Sequence, residues 1–153
     1  MGGNCNLTCK NCGYSKSIVT GIGMMYSPGS ILDFTTKKPF INSLIRSKKE
    51  ISKIRALIEE KNGELEYSYG HDIYVCENCC ELYGRFYLKI NYDGGYYEPK
   101  YNCTKCRHNL IVFDGFEREM PFSSKNYLLN TLKCPECGEY SIEEGIGDFV
   151  LWD

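Results

Sequence analysis

At 153 residues the chain holds one ordinary domain or two very small ones, and 42% apolar with 25% charged residues is a globular composition. A formal net charge of -2 supplies no overall positive field, which counts against a non-specific binder of phosphate backbones or anionic lipid. No stretch of the sequence is long and apolar enough to span a bilayer, so no membrane partner is expected.

Met1-Gly2-Gly3-Asn4-Cys5 lacks the charged and apolar regions of a secretory signal, and Asn6 stands where a myristoylation motif needs Ser or Thr. A cytoplasmic protein is expected, and in that reducing compartment ten cysteines do not read as a disulfide framework. The first Cys-x-x-Cys pair, Cys9-Lys10-Asn11-Cys12, is followed by Gly13 and a short strand at Ser17-Ile18-Val19. The segment Gly21-Ile22-Gly23-Met24-Met25-Tyr26-Ser27-Pro28-Gly29 fails the dinucleotide fingerprint, because Tyr26 holds the sixth position and no helix is expected to start there. It reads as a turn between strands with its methionines in the core, or else as an adaptable loop for a peptide or ligand.

Ser47-Lys48-Lys49-Glu50 has the form of a capping box, and Ile51, Ile54, Leu57 and Ile58 recur at helical spacing, with Gly63 ending the run. One amphipathic helix over about 47–62 follows, its stripe extended backward by Leu44 and Ile45 and facing a core. The second pair is Cys76-Glu77-Asn78-Cys79, followed by Cys80. Arg85 to Tyr92 alternates as a strand with Phe86, Leu88, Ile90 and Tyr92 on one face. Asp93-Gly94-Gly95 turns it into Tyr96-Tyr97-Glu98, and Pro99 marks an edge or an end. Cys103-Thr104-Lys105-Cys106 precedes a strand at Leu110 to Phe113. Cys134-Pro135-Glu136-Cys137-Gly138 precedes strands at Tyr140 to Glu143 and Asp148 to Trp152.

Eight of the ten cysteines therefore fall into four Cys-x-x-Cys pairs. Two intervening residues let a tight turn aim both sulfurs at one point while the turn's amides donate to the thiolates. Two such knuckles complete a tetrahedron around zinc, with metal–sulfur distances of about 2.3 Å. Two four-cysteine zinc sites are expected; the same geometry also takes iron. Three pairings of the knuckles are open. The sequential one, Cys9, Cys12, Cys76 and Cys79 at one site and Cys103, Cys106, Cys134 and Cys137 at the other, is preferred because each site closes over the shorter excursion. The nested and interleaved pairings stay open, as does Cys80 in place of Cys79. Cys5 and Cys80 read as spare thiols, and His71 and His108 as reserve ligands or ordinary polar residues.

Cys12-Gly13 and Cys134-Pro135-Glu136-Cys137-Gly138 resemble the rubredoxin-like knuckles of zinc-ribbon proteins, while Cys80 and Arg107 depart from them by replacing the glycine. Cys-x-x-Cys-Gly-Tyr followed by the Gly-x-Gly-Met segment also resembles a group of small bacterial zinc-ribbon proteins of unassigned function, which implies no activity. The resemblance covers the four knuckles and their hairpins, and with the helix read above the expected fold is a small β-rich α+β one: tandem zinc ribbons with one inserted helix. The expected division is residues 1–100 with the helix and residues 101–153 as a ribbon docked on them.

Closed four-thiolate sites leave no open position for water, so no enzyme is expected and no catalytic residue is named. Glu59-Glu60, Glu117, Glu119 and Glu143-Glu144 read as solvated surface. The first expectation is a protein-binding adaptor. The alternative is a nucleic-acid binder through Arg85, Tyr87, Lys89, Lys100 and Tyr101, with tyrosines stacking bases and cations meeting phosphates. A rubredoxin-like electron carrier comes third.

Overall fold

The structure is a computed structural model that describes residues 2–23, 25–113 and 129–145. Its first element, β1 (Gly2–Cys9), forms an antiparallel hairpin with β2 (Ser15–Gly21), in register from Gly2 opposite Gly21 to Thr8 opposite Ser15. Cys5, Leu7 and Cys9 alternate to the buried face, the period of two that a half-buried strand requires. Cys5 thus acts as an apolar core residue packed with Leu7 and Ile18.

The segment after β2 leads into α1 (Pro28–Ile31), with Ser27 as its N-cap and proline in its first turn. A short helix therefore starts where none was expected. Met25 is 60% exposed, so it does not enter the core, and Met24 lies outside the described residues. After α2 (Ile41–Leu44) comes α3 (Lys48–Glu60). Ser47 caps α3 by accepting from the Glu50 amide at 3.3 Å. Glu50 does not return the bond as a capping box would. Its carboxylate accepts instead from the Tyr97 hydroxyl and from the Lys100 amide, which ties the start of α3 to the 97–100 segment. Ile54 and Leu57 are buried against Ile31, Ile41, Ile45, Phe86, Leu88 and Ile90, so the helical stripe is core.

The remaining elements delimited among the described residues are strands: β3 (Glu64–Leu65), β4 (Gly70–Cys76), β5 (Leu82–Tyr87), β6 (Ile90–Tyr92), β7 (Gly95–Tyr97), β8 (Leu110–Val112) and β9 (Ile142–Glu144). The expected single strand from 85 to 92 is split, because Leu88 and Lys89 carry the chain from one sheet to another. The alternation survives the split, with Phe86, Leu88 and Ile90 all buried. Asp93 and Gly94 turn β6 into β7, with Tyr92 opposite Gly95.

All pairings among the described residues are antiparallel. One sheet runs β5-β4-β2-β1-β9, with β8 added beside β4, and the second runs β3-β6-β7. Strand β4 is the hub of the first sheet. It pairs along its length with β5, at His71 with β2, and from Tyr74 to Cys76 with β8. Strand β9 adds to β1 with Ile142 opposite Cys9. Strands from both sides of residue 100 therefore share one sheet. The result is a small, β-rich α+β fold with few helices. The expected strand at 148–152 and Glu117 and Glu119 lie outside the described residues. Among the described residues no helix is long and apolar enough to cross a membrane.

Candidate metal centres

Each Cys-x-x-Cys pair closes the same small turn. The amide directly after the second cysteine donates to the carbonyl of the first: Gly13 to Cys9, Cys80 to Cys76, Arg107 to Cys103 and Gly138 to Cys134, at 2.9 to 3.0 Å. The amide of the first cysteine donates to the carbonyl five residues on: Cys9 to Tyr14, Cys76 to Glu81, Cys103 to His108 and Cys134 to Glu139. Closing this ring forces the residue after the second cysteine into the left-handed region. Gly13 (φ 77°) and Gly138 (φ 78°) enter it freely, whereas Cys80 (φ 58°) and Arg107 (φ 64°) enter it with a side chain. Cys80 holds the glycine place of its knuckle and lies outside both four-sulfur groups, so it does not replace Cys79.

The four knuckles converge in two groups: Cys9, Cys12, Cys134 and Cys137, and Cys76, Cys79, Cys103 and Cys106, with the ligand atoms of each group within 4.8 Å of one another. This is the nested pairing, and it corrects the sequential one. Strand pairing is the physical reason. Cys76 lies opposite Leu110, which hangs the 103–106 knuckle beside the 76–79 knuckle. Cys9 lies opposite Ile142, which brings the last knuckle back to the first. The preference for short excursions was outweighed because closure cost grows only logarithmically, by roughly 0.6 kcal/mol per doubling of loop length.

The sulfur spacing suits a tetrahedral ion. Four sulfurs about 2.3 Å from a common centre lie about 3.8 Å apart. In the outer group Cys9 Sγ is 3.7 Å from Cys137 Sγ, and Cys12 Sγ is 3.6 Å from Cys134 Sγ. In the inner group the separations are 3.3 Å for Cys76–Cys106 and 3.6 Å for both Cys79–Cys103 and Cys79–Cys106. None of the ten cysteines forms a disulfide. Both groups can hold a metal ion.

The surroundings favour thiolate at some sulfurs and oppose it at others. The Ser141 hydroxyl lies 3.0 Å from Cys9 Sγ and, against desolvation, brings that thiol down to about 6. The His108 amide is the main cause that takes Cys106 down to about 5. At Cys103 desolvation is outweighed by the Tyr83 hydroxyl, 3.2 Å away, and by amides of its own knuckle. Asn11 lowers Cys137. Cys12 receives the Tyr14 amide, but desolvation and three neighbouring sulfurs push its thiol up to about 12. Desolvation likewise pushes Cys79 up to about 12. A metal ion bound at either group would need all four thiols as thiolates, so binding there would release protons.

Glu81 joins the two groups. Its carboxylate meets Lys16 at 2.6 Å, the Tyr14 hydroxyl at 3.2 Å and Lys105 at 3.8 Å. It thereby links the 76–79 knuckle to the residues following Cys12 and to the interior of the 103–106 knuckle. The spacing motif alone carries no sign of this bridge.

His71 and His108 belong to neither group. His71 stacks edge-on against Phe86, and His108 sits on the surface with its ring 3.1 Å from the Cys106 carbonyl. The expected base-stacking patch is largely engaged within the fold. The Tyr101 hydroxyl donates to the Phe86 carbonyl at 2.6 Å, and its ring packs edge-on against Tyr74. Tyr87 donates to Glu98, Lys89 pairs with Glu66 at 2.9 Å, and Arg85 lies over Tyr83. Of the surface carboxylates, Glu59 pairs with Arg55 and Glu143 with Lys10.

Against this geometry, comparison of the chain with protein-family models, with curated proteins and with solved structures finds no match.

Proposed function

We propose that the protein is a cytoplasmic zinc-binding scaffold in which two zinc-ribbon sites hold a small adaptor module in shape for a partner protein. The observation that carries this reading is the convergence of each cysteine group, which offers four sulfurs, the full ligand set of a four-coordinate structural ion. Thiolate sets of this kind suit zinc, and a fold this small gains folding free energy on the order of 10 kcal/mol per structural site. Exposed apolar side chains, among them Tyr67 and Tyr140, supply the aromatic anchors that protein interfaces favour. The internal engagement of Arg85, Tyr87, Lys89 and Tyr101 weighs against a nucleic-acid interface there.

Metal analysis after anaerobic purification tests the first half of the reading. Two zinc ions per chain and a colourless solution are expected; a coloured protein with iron and a reversible one-electron couple would instead make it an electron carrier. A photo-crosslinking residue at Tyr67 or Tyr140, with the buried Tyr74 as control, tests the second half in cells. A discrete protein adduct absent from the control is expected, and its absence at both exposed positions would overturn the adaptor role.

A further inference from the structure

The charge of this acidic chain is unevenly distributed. Residues 37–49 hold five of the 18 basic residues, Lys37, Lys38, Arg46, Lys48 and Lys49, and none of the 20 acidic ones, leaving 13 basic against 20 acidic elsewhere. All five are exposed, and among the described residues none of them forms an ion pair. The nearest acid in sequence, Glu50, has its carboxylate drawn toward Tyr97 and the Lys100 amide. Lys48 and Lys49 also sit in the first turn of α3, where the helix dipole disfavours cations. Folding stability does not account for that placement.

Between the two basic groups lies α2, a single turn about 6 Å long. Its Ile41 and the following Ile45 point into the core, while Asn42 and Ser43 face outward. At its start Phe40 is 42% exposed and forms an edge-on pair with the Tyr26 ring, centroids 5.5 Å apart, so part of the residue stays accessible to a partner. Exposed cations before and after an exposed ring in the chain, with the Asn42 amide facing outward between them and the Ser43 hydroxyl donating to the Phe40 carbonyl at 2.7 Å, match the requirements of single-stranded nucleic acid. A lipid surface fits less well, since it would have to bury Asn42 and Ser43 alongside Phe40.

We propose that Lys37, Lys38, Phe40, Arg46, Lys48 and Lys49 form a binding face for single-stranded nucleic acid, separate from both metal centres. Phosphates meet the cations and one base stacks on Phe40. The reading does not depend on the adaptor role, and the two faces together would let the protein join a nucleic acid to a protein.

Fluorescence anisotropy of the zinc-loaded full chain with a labelled oligouridylate of about 12 nucleotides tests this. Contacts to three to five phosphates give a log–log salt slope of about -2 to -3.5, or a loss of roughly 16- to 130-fold between 50 and 200 mM salt. Replacing both Lys37 and Lys38 by Ala reduces the slope by about 1.4. Phe40→Leu, which keeps apolar volume against Tyr26, weakens binding at least about 5-fold with the slope unchanged. Metal content is measured in each variant to show that the fold is intact. No binding at 50 mM salt, or binding indifferent to these substitutions, overturns the proposal. So does preference for vesicles with roughly 30% phosphatidylserine or for polyglutamate over the oligonucleotide.

Discussion

Cys80 and Arg107 occupy a backbone position that costs a side-chain-bearing residue about 1–2 kcal/mol and glycine almost nothing. Cys80→Gly is therefore expected to raise thermal stability by about 1 kcal/mol while the chain keeps both metals, whereas Cys79→Ser loses one. Metal content alongside the melting curve reads both outcomes, and loss of a metal in Cys80→Gly would make Cys80 a ligand. Ser141 and Tyr83 touch ligand sulfurs without binding metal themselves. Removing either hydroxyl, by Ser141→Ala or Tyr83→Phe, is expected to weaken the corresponding site by about 10- to 100-fold in competition with a chromophoric chelator. At this scale the eight clustered cysteines were legible because a two-residue spacing is a local constraint. The hydroxyl partners were not, since Ser141 and Tyr83 reach their sulfurs only through the tertiary fold.

Helix α3 was read from four apolar residues at helical spacing, and it begins and ends close to where those residues put it. Ile54 is fully buried, so Ile54→Ala is expected to cost about 2–5 kcal/mol in denaturant unfolding. Strands β1 and β4 were missed for different reasons. In β1 the alternation runs through Cys5, Leu7 and Cys9, and cysteine counted as a ligand or a spare hides its apolar role. In β4 buried Ile73 and Tyr74 are adjacent and β4 has neighbours on both edges, so no alternation marks it. That central strand carries His71, whose ring is packed on Phe86 beside the β2 pairing at Gly21. Burial holds its imidazole below the ordinary 6.5. The unfolded chain thus takes up this proton before the folded one, and stability falls as pH drops through 6.5. His71→Phe is expected to lose less melting temperature than the parent between about pH 7.5 and about pH 5.5, with equal losses counting against the burial account.

Across the whole molecule the outer four-cysteine group encloses the inner one along the chain. With metal bound, the inner one would staple the end of β4 to the knuckle that precedes β8, and the outer one, spanning 122 to 128 positions, would fasten β9 onto β1. Sequence spacing names the ligands but not their partners, because strand pairing decides the partners and knuckles of one spacing look alike. The direct test is the metal content of two quadruple Cys→Ser variants. With nested sites, replacing Cys9, Cys12, Cys134 and Cys137 leaves one metal per chain at the inner group, and replacing Cys9, Cys12, Cys76 and Cys79 leaves none. One retained metal in the second variant and none in the first would contradict the nested arrangement.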